Sequence, residues 1–407
     1  MTNKKLDHWL IESLLDIDFY KITMLQAFYH ASEFRVVNVQ WKFACRNKEK
    51  LNLSVLIPEI QRQLGHLCSL SFTEDELDYL SKLSYIKPDF IEFLRIFKLN
   101  SKFIQLHANG DDISLRFDGP LLHVSLFEIY ALSIISELHT VINCDGFDLT
   151  SARNKLSTKI NLLKNQNQLE DFNFMDFGTR RRASKSWQQE VLETLKKQLP
   201  ETFIGTSNVH FARTLGISAL GTMAHEWFQT WQAVTRLADA QTAALEGWVR
   251  EYRGRLGIAL TDCYSMDSFI RDFSDPYFGK LYDGLRHDSG CPIEWGEKAI
   301  ALYQDMEIEP LSKTLVFSDG LDFPTMLKIW SHFKGRIKTS FGIGTNLMND
   351  VGNTPLNIVI KMVTVNGKPV AKISDEPGKS MCEDLGYLQY LATQYGIDPM
   401  TVKISTY

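Results

Sequence analysis

Apolar and polar residues alternate through "VVNVQWKFACR" (36–46), the two-residue period of a half-buried strand. Around it the apolar spacing widens to three and four. "DFYKITMLQAFYH" (18–30), "DELDYLSKLSY" (75–85) and "PDFIEFLRIF" (88–97) therefore predict helices. "DISLRFDGPLLHVSLFEIYALSIISELHTV" (112–141) reads as strand, turn, strand and a long apolar helix. From about residue 172 a regular scheme sets in, with short apolar runs that end in Gly, Asp, Arg or Thr and lead into helical stretches. "FNFMDF" ends at "GTRRR", "ISAL" at "GT" and "GIAL" at "TDCYS"; "YDGLRHDSG", "TLVFSDGLD" and "RIKTSFGIGTN" continue the series.

Strands that alternate with helices predict a parallel sheet, and six or more such units favour a barrel over an open sheet. After residue 355, "LNIVIKMVTVNGKPVAKIS" predicts a hairpin around Asn366-Gly367, outside the barrel pattern. The expected architecture is α/β: an irregular α/β barrel over 136–354, with an open-faced α/β domain formed from both chain ends, 1–135 together with 355–407.

Composition narrows the function classes. The 407 residues are 44% hydrophobic and 23% charged with a net charge of −5, which is ordinary for a globular protein and argues against a nucleic-acid binder. Six scattered cysteines without a CxxC pair exclude a zinc framework. The first residues lack a signal-peptide core, and no apolar run is expected to reach membrane-spanning length. A cytoplasmic protein without membrane or nucleic-acid partners is expected.

In a barrel, chemistry gathers where strands end, and here those ends carry most of the unusual polar residues. "FGIGTN" has glycines that let backbone N–H groups approach phosphate closely. "FGTRRRAS" places three arginines after a strand; Arg180, nearest the tip, is the better phosphate ligand, while Arg181 and Arg182 read as a solvated turn. Arg286, His287 and Asp288 share one tip, and Asp319 and Asp322 the next. Together they fit a phosphorylated sugar and Mg²⁺. Tyr20 on the first helix reads as core by itself. Thr222 is the expected N-cap of the helix after "ISAL", which puts His225 in its first turn, off the apolar stripe. Without a second histidine four residues on, "HE" is not the metalloprotease pattern. A general base, a phosphate acceptor or a plain structural histidine remain open.

The ordered motifs "DFYK", "FMDFGTRRRAS", "GTSNVHFARTLGISALGTMAHEW", "LRHDSG", "FSDGLD" and "FGIGTN" resemble the bacterial nicotinate phosphoribosyltransferase family, within the type II phosphoribosyltransferases. The resemblance spans roughly residues 14 to 375. It implies ATP-coupled synthesis of nicotinate mononucleotide from nicotinate and phosphoribosyl pyrophosphate, with Mg²⁺, in NAD salvage. It implies that His225 is a phosphohistidine, and that Tyr20, Phe177, Thr222 and Arg286 surround the pyridine ring. Arg180, Asp288, Asp319, Gly342, Gly344 and Thr345 would hold ribose and phosphate. It also implies a homodimer with shared active sites, an exposed Tyr20 reaching the neighbouring barrel. Family members commonly carry Asp where this chain has Cys291, which puts the metal geometry in question. The alternative within the fold is nicotinamide phosphoribosyltransferase. A barrel lyase or isomerase would need a lysine at a strand tip, for which Lys338 is the candidate, and a sensor of ribose phosphates would need no catalysis.

Overall fold

The computed structural model describes residues 6–47, 51–166, 169–376 and 380–402. The outermost residues of the expected end domain, 1–5 and 403–407, lie outside them.

Seven parallel strands form the larger sheet: β4 (Phe174–Asp176), β5 (Phe203–Thr206), β6 (Ser218–Ala219), β7 (Ile258–Leu260), β8 (Gly284–His287), β9 (Thr314–Phe317) and β10 (Lys338–Ile343). Their order is β6-β5-β4-β10-β9-β8-β7, a curled sheet that strand pairing leaves open between β6 and β7. This is the irregular barrel that the repeating strand–helix pattern predicts. Its tips are tied neighbour to neighbour: Phe177 N–H donates to the Ile343 carbonyl, Leu220 N–H to Thr206, and Ser318 N–H to His287.

The smaller sheet is antiparallel and joins the chain ends. It contains β1 (Asn38–Cys45), β2 (Ile104–Asn109), β3 (Asp112–Pro120), β11 (Ile358–Val365) and β12 (Lys368–Pro369), in the order β12-β11-β1-β3-β2. Burial alternates along β1, with Val39, Trp41, Phe43 and Cys45 inward, as the sequence pattern requires. β1 pairs with β11 from Val39↔Val365 to Cys45↔Ile358, so strands more than three hundred residues apart in sequence are adjacent. β11 and β12 form the hairpin at Asn366-Gly367, where both turn residues have positive φ.

Two expectations change. β3 continues through Asp118-Gly119-Pro120, and "LLHV" begins a helix (Leu121–Val124) instead of a second strand. Proline suits the entry to a helix, where its missing N–H costs nothing. The hairpin partner of β3 is β2, upstream. Leu121–Asn143 is also long and apolar enough to cross a membrane, with mean hydropathy 1.5, contrary to the composition-based expectation. Most of it is buried inside the fold, and its central helix, Phe127–Leu138, has eleven buried residues, so its apolar surface is used as core.

Candidate active site

The strand tips of the half-barrel face β1 and β11 across a cavity of about 490 Å³. Of the residues singled out in the sequence, Tyr20, Phe177, Arg180, His225, Arg286, Asp288, Asp319, Gly344 and Thr345 line it. Tyr20 thus borders the cavity of its own chain and is half-buried. The first helix (Phe19–His30) packs against the barrel, with Phe19 N–H donating to the Ser207 carbonyl.

Thr222 and Gly342 do not line the cavity. Thr222 donates its hydroxyl to the Ile258 carbonyl at 2.9 Å, bridging the opening beside the edge strand β7. It is not the N-cap: the helix runs from His225 to Val234, and the N-cap position belongs to Ala224, which makes no side-chain cap bond. Gly342 acts by being small, since a Cβ there would stand 2.3 Å from Phe177 Cδ2. It allows the Phe177 ring to lie against β10.

The three arginines separate by role, and none sits on a solvated turn. Arg182 is fully buried, donating to both oxygens of Asp16 (2.7 and 2.9 Å) and to Glu137 Oε1 (2.7 Å). Arg180 and Arg181 line the cavity. Burial, and next the Arg180 charge, push Arg181 down to about 9. Burial and then Lys372 likewise bring Lys361 down to about 7. Arg46, Arg286 and Lys372 also line the cavity. Cations crowded closely enough to depress Arg181 and Lys361 mark a place prepared for anions. Arg286 adds a specific sign, a buried Nε with no hydrogen-bond partner among the described residues. A buried donor left unpaired is costly, and a ligand carboxylate or phosphate would satisfy it.

His225 is buried at the start of its helix, with Nε2 2.9 Å from Asp262 Oδ1. Asp262 is itself buried; its Oδ2 accepts from Ser289 Oγ and Lys372 Nζ, each at 2.6 Å. Burial first, then the Lys372 ammonium, push His225 down to about 4 against the pull of Asp262. The Asp262 carboxyl is held well below its usual range, because Lys372 and His225 outweigh the cost of burial. The imidazole is therefore neutral at pH 7, with Nε2–H donating to Asp262 and the lone pair on Nδ1. Asp288 Oδ2 lies 3.8 Å from His225 Nε2, and Asp288 Oδ1 accepts from Ser318 Oγ at 3.1 Å.

His225, Asp262 and Asp288 are close enough to be considered as metal ligands. Both oxygens of Asp262 are already engaged, one by an ammonium group, which does not fit a closed protein cage. Asp288 and Asp319, on adjacent tips, fit a Mg²⁺ that takes one or two carboxylates and completes its shell with phosphate oxygens and water. Cys291 is exposed, occupies the N-cap position of the helix Pro292–Asp305 and does not line the cavity. His287 hydrogen-bonds the Gly290 carbonyl and packs on Trp295, outside the lining. Lys338 is exposed at the start of β10, away from the tips, so the lyase reading loses its lysine.

Sequence reasoning missed Asp262, Lys361, Lys372, Arg46 and Glu128. Asp262 was detectable in principle, as the acidic residue of "TDCYS" on a strand end. The lysines carried no such signal, since they lie in or beside the hairpin and reach the site only when the chain ends fold over the barrel.

Known proteins agree with this geometry. The signature of the Nicotinate phosphoribosyltransferase (NAPRTase) family matches residues 172–398, and that of the NAPRTase N-terminal domain matches 15–136. The nicotinate phosphoribosyltransferase of Psychromonas ingrahamii is 75% identical over 405 residues, covering 100% of both chains. That of Xylella fastidiosa is 48% identical over 96% of this chain and 98% of its own. Among solved structures, nicotinate phosphoribosyltransferase from Vibrio cholerae superposes with a TM-score of 0.92 at 37% identity, covering 98% of this chain and 96% of its own. The Porphyromonas gingivalis enzyme gives 0.89 at 33%, covering 95% and 100%. With both family signatures matched, a full-length relative at high identity and the same fold, this chain belongs to the nicotinate phosphoribosyltransferase family and is an enzyme.

Proposed function

We propose that the enzyme joins nicotinate to the ribose of phosphoribosyl pyrophosphate, and that ATP is coupled to this step through a phosphohistidine at His225. The observation that carries the coupling is the His225–Asp262 pair. A neutral imidazole that donates its Nε2–H in a hydrogen bond to a buried carboxylate offers Nδ1 as a nucleophile to the γ-phosphorus of ATP. The bond from γ-phosphorus to the bridging oxygen breaks as Nδ1–P forms, and ADP leaves. Water later takes the phosphoryl group to phosphate. The first helical turn favours the added charge by roughly 0.3–1 kcal/mol, and the cavity cations supply the larger share.

In the transfer itself the pyridine nitrogen attacks C1 of the ribose while pyrophosphate departs. Positioning and charge neutralisation dominate such a reaction. Tyr20 and Phe177 border the same cavity and suit the two faces of a flat ring, while Arg286 suits its carboxylate. Arg180, Gly344 and Thr345 suit phosphate, with Asp319 for ribose hydroxyls. Asp288 and Asp319 would hold Mg²⁺, which supplies charge neutralisation on the leaving pyrophosphate. The unpartnered Arg286 Nε favours nicotinate over nicotinamide, because the amide brings no charge to the donor. The reading extends to a homodimer of complete sites and to a cytoplasmic place in NAD salvage.

A product assay with nicotinate and nicotinamide, each with and without ATP, tests the proposal. Nicotinate mononucleotide formed faster with ATP is expected; equal turnover of both bases, or indifference to ATP, would contradict the corresponding part.

A further inference from the structure

One close backbone approach and three hydrogen bonds join the first helix to the entry and first turn of the histidine helix. A Cβ on Gly221 would stand 3.0 Å from the Tyr20 backbone nitrogen. Thr23 Oγ1 donates to the Thr222 carbonyl at 2.6 Å, and Ala224 N–H donates to Met24 Sδ at 3.2 Å. Lys21 Nζ donates to Glu226 Oε1 at 2.5 Å. The contacts run along both segments, residues 20 to 24 against 221 to 226. The receiving segment has no side-chain cap of its own. The first helix thus supplies the restraint that Ser, Thr, Asn or Asp supplies at other helix starts.

Lys21 is fully buried and faces two carboxylates, Glu226 and Glu128, the latter at 2.7 Å. Its ammonium also lies 4.6 Å from the Trp41 ring centroid. Among the described residues Glu226 Oε2 has no hydrogen-bond partner, so this carboxylate depends on the lysine. The two ends of the seam are Tyr20, beside Lys21, and His225, beside Glu226. Both line the cavity.

We infer that Lys21 and Thr23 are positioning residues that tie occupancy of the Tyr20 side of the cavity to the orientation of His225. The inference rests on the phosphohistidine reading above. A base seated against Tyr20 loads the first helix, and the seam passes that load to the first turn of the histidine helix. Coupling of this kind is reciprocal: a ligand that favours one arrangement of the seam favours phosphorylation, and phosphorylation favours that ligand.

The test compares the intact enzyme with Thr23→Val, Lys21→Met and Lys21→Arg. Two quantities are read: phosphoenzyme labelling from γ-labelled ATP with and without nicotinate, and ATP hydrolysed per nicotinate mononucleotide formed. A residue that only supports the fold would move neither. In the unsubstituted enzyme, labelling responds to nicotinate. Thr23→Val keeps its shape and loses that response, and ATP consumed per product rises roughly fivefold, the worth of one buried hydrogen bond. Lys21→Met does the same more strongly, and Lys21→Arg restores part of the coupling. Should Lys21→Met not fold, Thr23→Val decides alone. Labelling indifferent to nicotinate in the unsubstituted enzyme, or unchanged response and stoichiometry in Thr23→Val, would overturn the inference. Absence of any label on the unsubstituted enzyme would instead remove the phosphohistidine reading beneath it.

Discussion

Asp262 holds His225 from the neighbouring strand tip, Oδ1 to Nε2 at 2.9 Å, while Lys372 from the far end of the chain holds Asp262 at 2.6 Å. Three segments distant in sequence thus fix one imidazole. Asp262→Asn should present an amide to both neighbours and lose the preference for the tautomer with its lone pair on Nδ1. Disturbing a group that orients a ligand imidazole commonly costs about 10–100-fold, and a loss of that order in the labelling rate is expected. ATP-independent transfer should survive, because Arg180, Arg286 and Asp319 are untouched. An unchanged labelling rate would remove Asp262 from this role.

Titration should follow the displaced His225. Free imidazole titrates near about 6.5, whereas His225 is brought down to about 4 in the fold. Between these values the unfolded chain binds the proton and the folded one does not. The group therefore erodes stability as pH falls from about 6.5 toward 4 and has no such effect above that window. Glu226 is raised to about 7 and Asp375 to about 6, chiefly by burial, and both act in the opposite direction. The difference in melting temperature between the enzyme and His225→Asn isolates the histidine. The unsubstituted enzyme should lose more than the variant between pH 6.5 and 5, and parallel curves would refute the shift.

Base selection should rest on Arg286. Its unpaired Nε and charge match a carboxylate, and such a mismatch is worth on the order of 1–3 kcal/mol. Arg286→Gln should raise KM for nicotinate by roughly tenfold or more and leave that for nicotinamide nearly unchanged. An equal change for both bases would place the arginine on phosphate instead.

The sequence made the barrel legible because short apolar runs end in Gly, Asp, Arg or Thr, as at "TRRR", "RHDSG" and "SDG", and lead into helical stretches. β1 was legible through its alternation, and the last hairpin through Asn366-Gly367. β2 was not: it is an edge strand with mostly exposed residues and no buried face to impose a pattern. "LLHV" misled for a related reason, since a short apolar run fits strand and helix alike. At the site, residues at strand tips could be named in advance. Lys372 and Lys361 could not, because their partners are set by the folding of one chain end over the barrel. Thr222 looked like a cap by local chemistry, but the opening beside β7 left the Ile258 carbonyl as a better use for its hydroxyl.

Placement of Tyr20 gives a prediction opposite to the one that the resemblance alone implies. Tyr20 and Arg286 line one cavity within a single chain. Mixing Tyr20→Ala chains with Arg286→Ala chains should therefore restore no activity, since neither carries a complete site. Recovery in verified heterodimers would show that the first helix serves a neighbour.

The central claim is that His225 accepts the γ-phosphoryl group of ATP. Incubation with γ-labelled ATP and Mg²⁺, followed by proteolysis and mass spectrometry at neutral pH, tests it most directly. Label is expected on the peptide carrying His225 and absent from His225→Ala, which should keep a slow, ATP-independent transfer. Full labelling of His225→Ala, with His210 or His287 as the acceptor, would contradict the account.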